Sequence, residues 1–224
     1  MREVDAYGKG IYRILERIIA YSPKNLVDLF SAESGLGPAS YAACGTGFEG
    51  SIAAVDGSNA IVLDAGSYAV AAVRAGESTF REGTRLHRGI TSPCLAAIGP
   101  ERKCEEFVKL YRRCFQTIPE TPLYSDDPVQ ASAVLRDTLE YSVARRLADT
   151  LDAGDLLLLD GALTASHASH QPVILDLLKR CRRRGVLLAA VTKRSSVTWG
   201  NGYPLVPAAA GLADRCGIDH PWYV

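Results

Sequence analysis

Apolar residues change from helical to strand-like spacing after residue 50 of the chain. Over residues 8–34 they recur every three or four positions, and Ser22-Pro23 divides this segment into two predicted helices. Residues 35–50 contain five glycines and predict a loop. Three short apolar runs follow, at 52–55, 60–63 and 68–73. They predict three strands joined by tight turns, an antiparallel meander.

The second half of the chain alternates helices with wholly apolar strands. A long helix is predicted over 128–151, with Asp126 or Asp127 as its cap. The runs at 155–160 and 186–192 are typical of strands buried on both faces. The remaining predicted elements are helices at 101–115, 172–184 and 206–216, a strand at 90–98 that Pro93 limits to an edge or a break, and a short strand from residue 222. Together these elements predict an α/β fold in which helices cover a mixed sheet.

Composition excludes several classes of protein. The 224 residues are 47% hydrophobic and 22% charged, which suits one large domain or two small ones. The net charge of zero provides no global attraction to nucleic acid, so any such site requires a local patch. The six cysteines form no CxxC pair and have no zinc-like spacing. Without a signal-peptide pattern or a membrane-length apolar run, we expect a soluble cytoplasmic protein.

Two aspartates stand in the same local setting. Asp56 and Asp160 each end an apolar run and are each followed by glycine. Asp-Gly between two apolar runs is the commonest hairpin signal, so Asp56 taken alone is explained by a turn. No nearby returning strand follows Asp160, although a cap or turn would also account for it. An acid at the carboxyl end of a buried strand commonly faces a ligand crevice, which is the functional interpretation of both residues.

A third acid comes from the long helix. At about 100° per residue, Arg136 and Glu140 fall on the same stripe as five apolar residues of the helix. Amphipathic helices keep unpaired charges off the buried stripe, so Glu140 is a candidate for a site. Two alternatives stay open: the two charges pair with each other four residues apart, or Leu135 and Leu139 mark a wider apolar face with the pair at its margin.

These three acids predict a metal site if they converge. Clustered carboxylates repel one another unless a cation neutralises them, and ligands that are all oxygen suit magnesium or manganese. Such ions catalyse phosphoryl transfer, so Asp56, Glu140 and Asp160 suggest hydrolysis of a phosphodiester. Lys193 follows the last buried strand, where a lysine can hold a phosphate or stabilise its developing charge; a solvated lysine is the alternative.

Four segments in order resemble the NurA nuclease family. They are AAVDGSNA at 53–60, LRDTLE at 135–140, LLLLDGALT at 156–164 and VTKRSS at 191–196. The resemblance runs from about residue 50 to about residue 200, and the N-terminal helices fit it as well. It implies a ribonuclease H-like fold: a mixed sheet with an antiparallel three-strand meander followed by helix-linked parallel strands.

The resemblance also implies an activity. It suggests a deoxyribonuclease that requires manganese, with magnesium as the alternative, and that acts as a 5′–3′ exonuclease and a single-strand endonuclease. It implies a partnership with HerA, a hexameric DNA-translocating ATPase, in the end resection of double-strand breaks, and it implies a homodimer. Carried over by position, Asp56, Glu140 and Asp160 would bind the metal, and Lys193 would match the strand-end lysine.

The resemblance predicts a division of the chain and one departure from the family. Residues 1–48 would form the N-terminal helices and loop, packed on a nuclease domain at 49–224. NurA proteins continue past a segment like HPWYV into further strands that carry another polar site residue, so this domain is expected to lack the last C-terminal strands. His220 is a candidate substitute for that residue, with a surface histidine as the alternative.

Two groups of arginines are candidate DNA contacts. Arg182, Arg183 and Arg184 end a predicted helix, where cations offset the macrodipole. The functional alternative is a phosphate-binding patch, whose DNA affinity would fall steeply with salt. Arg136 is a further candidate because it lies on the stripe of Glu140.

Two other functions compete with the nuclease. One is a nuclease-fold subunit that binds the ATPase and DNA without cutting. The other, a remote alternative, is a phosphatase of haloacid-dehalogenase type. That chemistry needs two aspartates separated by one residue, and the position two before Asp56 is Ala54, so the nucleophile is absent.

Overall fold

The structure is a computed structural model that describes residues 23–45, 47–66, 68–99, 104–124, 127–192, 197–200, 202–219 and 222–224. The predicted first helix lies outside these residues. In chain order the elements are α1 (Pro23–Ser34), β1 (Ala42–Ala43), β2 (Ile52–Asp64), β3 (Ala69–Arg81), β4 (Thr84–Ile90), β5 (Cys94–Ile98), α2 (Glu105–Phe115), α3 (Pro128–Thr150), β6 (Leu156–Asp160), α4 (Gln171–Arg184), β7 (Leu187–Val191), β8 (Thr198–Trp199), β9 (Tyr203–Pro204), α5 (Leu205–Arg215) and β10 (Trp222–Tyr223).

Contacts divide the chain into two compact units. The larger is Phe48–Lys193, and the smaller combines Met1–Gly47 with Arg194–Val224. The division into residues 1–48 and 49–224 stays a prediction.

The larger unit is built on a six-stranded mixed sheet. Its order is β4-β3-β2-β6-β7, with β5 also paired to β3. Strands β2 to β5 pair antiparallel, whereas β2, β6 and β7 are parallel. The predicted fold class, an antiparallel meander followed by helix-linked parallel strands, is therefore confirmed.

The first strand of the meander corrects the prediction for Asp56. The predicted strands at 52–55 and 60–63 are two parts of the single strand β2, and Asp56 lies opposite Gly76 in a ladder with β3 that keeps its register from Ile52 to Ile61. The Asp56-Gly57 hairpin turn is therefore wrong. The chain reverses later, where the Ala65 amide donates to the Tyr68 carbonyl at 2.9 Å. Strand pairing across both residues outweighs the local turn signal.

Most other element boundaries follow the sequence, but β7 is an edge strand with exposed Leu187 and Val191, so the prediction that it is buried on both faces is wrong. The Asp127 carboxylate accepts a hydrogen bond from the Val129 amide at 2.8 Å and caps α3, and Pro128 begins the helix. Helix α4 ends at Gly185, whose φ of 72° is in the left-handed region. The predicted strand at 90–98 is interrupted before Cys94, as expected around Pro93.

Helix α3 covers one face of the large sheet. Side chains alternate along β2 and β6, and the buried residues Ala53, Val55, Leu157 and Leu159 face this helix. They pack with Leu135, Leu139 and Ala144 of α3 in one continuous core. The intervening residues of both strands therefore belong to the opposite face.

The smaller unit has its own apolar cluster. Helices α1 and α5 pack together around Val27, Phe30 and Leu212. The Phe30 and Trp199 rings meet edge to face, with centroids 5.0 Å apart. Strand β1 pairs antiparallel with β10, and β8 with β9. Among all the residues described, no helix combines the length and apolar character needed to cross a membrane.

Candidate active site

Asp56 and Asp160 lie next to each other on parallel strands. Val55 pairs with Leu159, so the residues that follow them occupy equivalent positions on β2 and β6. Both belong to the sheet face opposite α3. Asp160 is the last residue of β6, and Gly161, with a φ of 100°, turns the chain away while its amide donates to the Val191 carbonyl at 2.9 Å. Strand β2 therefore continues past the end of β6 paired only with β3, so its other edge is not paired with β6 from Asp56 onward.

Glu140 packs against the neighbouring residue Gly57 from the α3 side of the sheet. Glu140 is 8% exposed, and its carboxylate packs against Gly57, the residue after Asp56. A Cβ atom on Gly57 would overlap that carboxylate and would lie 2.6 Å from Cγ of Arg136. Gly57 is not among the glycines with positive φ. The glycine of the Asp-Gly pair is thus required for close approach of helix to strand, and a turn does not explain it.

Arg136 is the cation of this cluster. Its Nε lies 3.1 Å from Oε1 of Glu140, and its Nη2 donates to Oδ1 of Asp137 at 2.8 Å. Its Nη1 donates to Oδ1 of Asn59 on β2 at 3.3 Å. The pairing of Arg136 with Glu140 that the sequence left open is therefore present. So is the wider apolar face, because Leu135 and Leu139 are both buried.

Burial and neighbouring carboxylates both raise the pKa of Glu140. Burial is the main cause that raises its pKa to about 7, and the negative charge of Asp137 adds to it. Asp56 and Asp160 raise the same pKa further, whereas Arg136 lowers it. The three predicted acids are therefore close enough to influence one another. In the absence of a further cation, a substantial fraction of Glu140 is protonated at neutral pH.

Asp137 is a site-bordering residue that the sequence reasoning missed. It is 5% exposed, and besides the Arg136 bond it accepts a short hydrogen bond from the Ser166 hydroxyl in the loop after β6. Residues three apart share a helix face, so Asp137 belongs with Glu140 on α3. That spacing within LRDTLE is the signal that would have identified it.

The donor set fits a divalent cation by its chemistry. Asp56, Glu140 and Asp160 supply only oxygen atoms, and a cation would remove the repulsion that raises the Glu140 pKa. Among the described residues, however, no group of three acidic, histidine or cysteine side chains is close enough to surround a metal ion. Glu140 instead forms its ion pair with Arg136.

The other predicted site residues are placed only in part. Lys193 and His220 lie outside the described residues. Arg182 and Arg183 are exposed in the last turn of α4, and Arg184 donates to the Leu151 carbonyl at 2.9 Å. This run precedes β7, whereas Asp160 is the last residue of β6, so the two lie at opposite ends of the parallel strands. The structure does not bring this basic run to the acids.

Comparisons with known proteins add one result about the fold. No protein-family model and no curated protein matches the chain. Among solved structures, it is similar to the NurA nuclease from Sulfolobus solfataricus, with a TM-score of 0.51 and 14% identity over 91% of this chain. The chain spans 66% of the length of that protein.

Two further NurA structures are more distant. The first has a TM-score of 0.42 and 16% identity to this chain. The matched region is 71% of this chain and 30% of that protein. The second is NurA bound to dAMP and manganese, with a TM-score of 0.43 and 15% identity. The matched region is 81% of this chain and 42% of that protein. The expected resemblance is thus confirmed at the level of tertiary structure: the chain has a NurA-like nuclease fold.

Proposed function

We propose that this protein is a metal-dependent deoxyribonuclease in which Asp56, Glu140 and Asp160 bind the metal. The observation that carries the proposal is the position of Asp56 and Asp160 on adjacent parallel strands, with Glu140 packed against the residue that follows Asp56. The NurA-like fold supports it. Manganese is the proposed ion, as the motif resemblance implies, with magnesium as the alternative, because donors that are all hard oxygens suit both ions.

The roles of the residues follow from their surroundings. A bound divalent ion would polarise the scissile phosphate and lower the pKa of an attacking water. Glu140 is buried, and a bound ion would hold it as a carboxylate, because a cation offsets the like charges that raise its pKa. Arg136 keeps Glu140 and Asp137 in place across from Gly57. We assign Lys193 the stabilisation of charge on the phosphate.

The finer features of the activity rest on the motif resemblance and the shared fold. We propose 5′–3′ exonuclease and single-strand endonuclease activity, exerted by a cytoplasmic homodimer. A HerA-type hexameric ATPase is the proposed partner in DNA end resection. Pull-down of the ATPase from the same organism with this chain, and mass measurement of the chain alone, test these two assemblies separately.

Carboxamide substitutions test the chemistry. Single- and double-stranded DNA labelled at either end is incubated with the protein and Mn²⁺, Mg²⁺ or EDTA. Asp56→Asn, Glu140→Gln and Asp160→Asn are each expected to reduce cleavage by roughly a thousandfold or more. The matched control is Asp64→Asn, an exposed aspartate at the far end of β2. Undiminished cutting by the three site variants would show that the assignment is wrong.

A second candidate is a nuclease-fold subunit that binds DNA and the ATPase without cutting. The observation in its favour is that Glu140 is already paired with Arg136 and no three-ligand group is formed among the described residues. Calorimetry with Mn²⁺ separates the two functions. Metal binding that Asp56→Asn abolishes, without any cleavage of labelled DNA, identifies the non-cutting subunit.

A further inference from the structure

A pocket of about 380 Å³ opens on the sheet face opposite α3, beside Asp56. Three consecutive antiparallel strands, β2, β3 and β4, form its walls and floor. Its lining includes the small residues Ala54, Gly76 and Ser78 together with Ile90 and Glu77. The small residues next to Asp56 leave room for an extended chain to lie close to the sheet.

Two arginines stand at opposite ends of this pocket. Arg74 on β3 pairs in register with Ser58, and Arg88 on β4 pairs with Ser78. Asp56 pairs with Gly76, midway along β3 between these two positions. At about 3.4 Å per residue, Arg74 and Ser78, the β3 partner of Arg88, are roughly 14 Å apart along the strand. Two arginines anchored at these positions, with Gly76 between them, suit a chain of phosphates better than an isolated anion.

The positive charges of both arginines are available. Nε of Arg74 donates to the Ser58 hydroxyl at 3.0 Å, which orients the guanidinium without neutralising it. Within the described ranges, no acidic side chain forms an ion pair with Arg74 or Arg88. Other arginines of this unit are neutralised: Arg145 and Arg180 both contact Asp176, and Arg146 contacts Glu77.

We propose that Arg74 and Arg88 bind backbone phosphates of a DNA single strand on either side of the phosphodiester that faces Asp56. This inference rests on the proposed function and names its substrate-binding groove. Guanidinium groups bind phosphate oxygens in a bidentate manner, and such contacts fix the register of a nucleic acid without reading its sequence. The pocket thus explains how a chain of zero net charge holds a polyanion.

The experiment measures binding separately from cleavage. Fluorescence anisotropy of a labelled single-stranded oligonucleotide is recorded in EDTA at several salt concentrations. The proteins are the wild type, Arg74→Gln, Arg88→Gln and the double variant. The matched control is Arg112→Gln, which removes the same charge from an exposed position on α2, a helix that packs against α3. Circular dichroism checks that each variant is folded.

Each site variant is expected to weaken binding about five- to tenfold at low salt. Each should also reduce the slope of log affinity against log salt by about 0.7. Arg112→Gln should stay within about twofold of the wild type, since its charge is remote from the pocket. A folded double variant with wild-type affinity and salt slope overturns the inference, as does a wild-type protein that binds no single-stranded DNA.

Cleavage assays distinguish this inference from the proposed function. If the wild-type protein binds DNA through Arg74 and Arg88 but cuts nothing with any metal, the nuclease proposal is wrong and the binding groove stands. If the protein cuts DNA while the double variant binds as the wild type does, the nuclease proposal stands and the groove is wrong.

Discussion

Gly57 and Glu140 are in direct contact where strand β2 passes beneath helix α3. No Cβ atom fits on Gly57 without overlapping the Glu140 carboxylate. This contact places Glu140 against the residue that follows Asp56. The absence of a side chain on Gly57 therefore makes room for the Glu140 and Arg136 side chains.

Substitution of this glycine should damage both the packing and the site. Gly57→Ala is expected to lower the free energy of unfolding by about 1–3 kcal/mol, because the methyl group displaces Glu140 and Arg136. Urea unfolding followed by circular dichroism measures this change. DNA cleavage should fall by more than the loss of folded protein explains, since Glu140 is displaced.

Gly76→Ala is the matched control for this prediction. Gly76 lies opposite Asp56 on β3, and its added Cβ would have no atom nearer than 3.6 Å. It should be neutral or slightly stabilising, because alanine lowers the entropy of the unfolded chain. Equal destabilisation by the two variants would contradict the role given to the Gly57–Glu140 contact.

Arg136→Gln should make the stability of the protein depend more strongly on metal. The substitution leaves Glu140 and Asp137 without their shared cation, and we expect a loss of about 1–2 kcal/mol in EDTA, allowing for the one-third exposure of the arginine. A divalent ion bound at the acids replaces that cation. Mn²⁺ should therefore raise the melting temperature of the variant more than that of the wild type.

Arg180→Gln supplies the comparison for Arg136. Arg180 also pairs with an acid four residues away, Asp176, but lies on α4 away from the site. The melting temperature of the Arg180→Gln protein should respond to Mn²⁺ as that of the wild type does. If Mn²⁺ stabilises the wild type and both variants by the same amount, Arg136 does not compensate the metal-site acids.

Buried His170 should make the fold less stable in mild acid. The residue is fully buried, its Nε2 lies 2.9 Å from the Thr138 hydroxyl, and burial lowers its pKa to about 4. His167 lowers this pKa further, whereas Asp137 opposes the shift. Between pH 6.5 and 4 the unfolded chain therefore binds a proton that the folded protein does not. The free energy of unfolding should fall over this window as the pH decreases, by up to about 3 kcal/mol.

Comparison with His170→Gln isolates this contribution. Glu140, whose raised pKa is about 7, acts in the opposite direction, because the folded protein gains stability as the pH falls from 7 towards the unfolded value. The contribution of Glu140 to the free energy of unfolding is the same in the wild type and in His170→Gln. Urea unfolding from pH 7.5 to 4.5 in EDTA should show a weaker acid loss in His170→Gln, and parallel pH profiles would contradict the prediction.

Asp155 should be important for stability rather than for catalysis. Its Oδ1 accepts from the Ser51 amide at 2.7 Å and its Oδ2 from the Asp152 amide at 3.0 Å, so it joins the starts of the parallel strands β2 and β6. Asp155→Ala leaves two amides without their acceptor and should cost about 2–3 kcal/mol. The nearby exposed Asp152→Ala should cost less than about 1 kcal/mol in the same urea experiment. Equal costs would contradict this account.

Much of the fold follows from local signals. Asp127 and Pro128 begin α3, Gly185 ends α4, and the wholly apolar run after Asp155 forms a strand buried in the sheet. These predictions succeed because caps, glycine conformations and apolar periodicity act over a few residues. The position of Glu140 on the inner side of its helix follows from the same periodicity.

Asp56-Gly57 shows where local reasoning ends. The dipeptide is equally suited to a hairpin turn and to a strand that a helix must approach closely. The dipeptide alone could not distinguish the two structures, because the deciding contacts are with Gly76 on β3 and Glu140 on α3, far away in the chain.

The same holds for the Arg74 and Arg88 groove, which exists only because the register of three strands brings these side chains to one face. The sequence by itself thus determined the elements and the acids of this protein, through short-range physics. Only the tertiary structure decided what those acids face, because long-range strand pairing and helix packing set each side chain's surroundings.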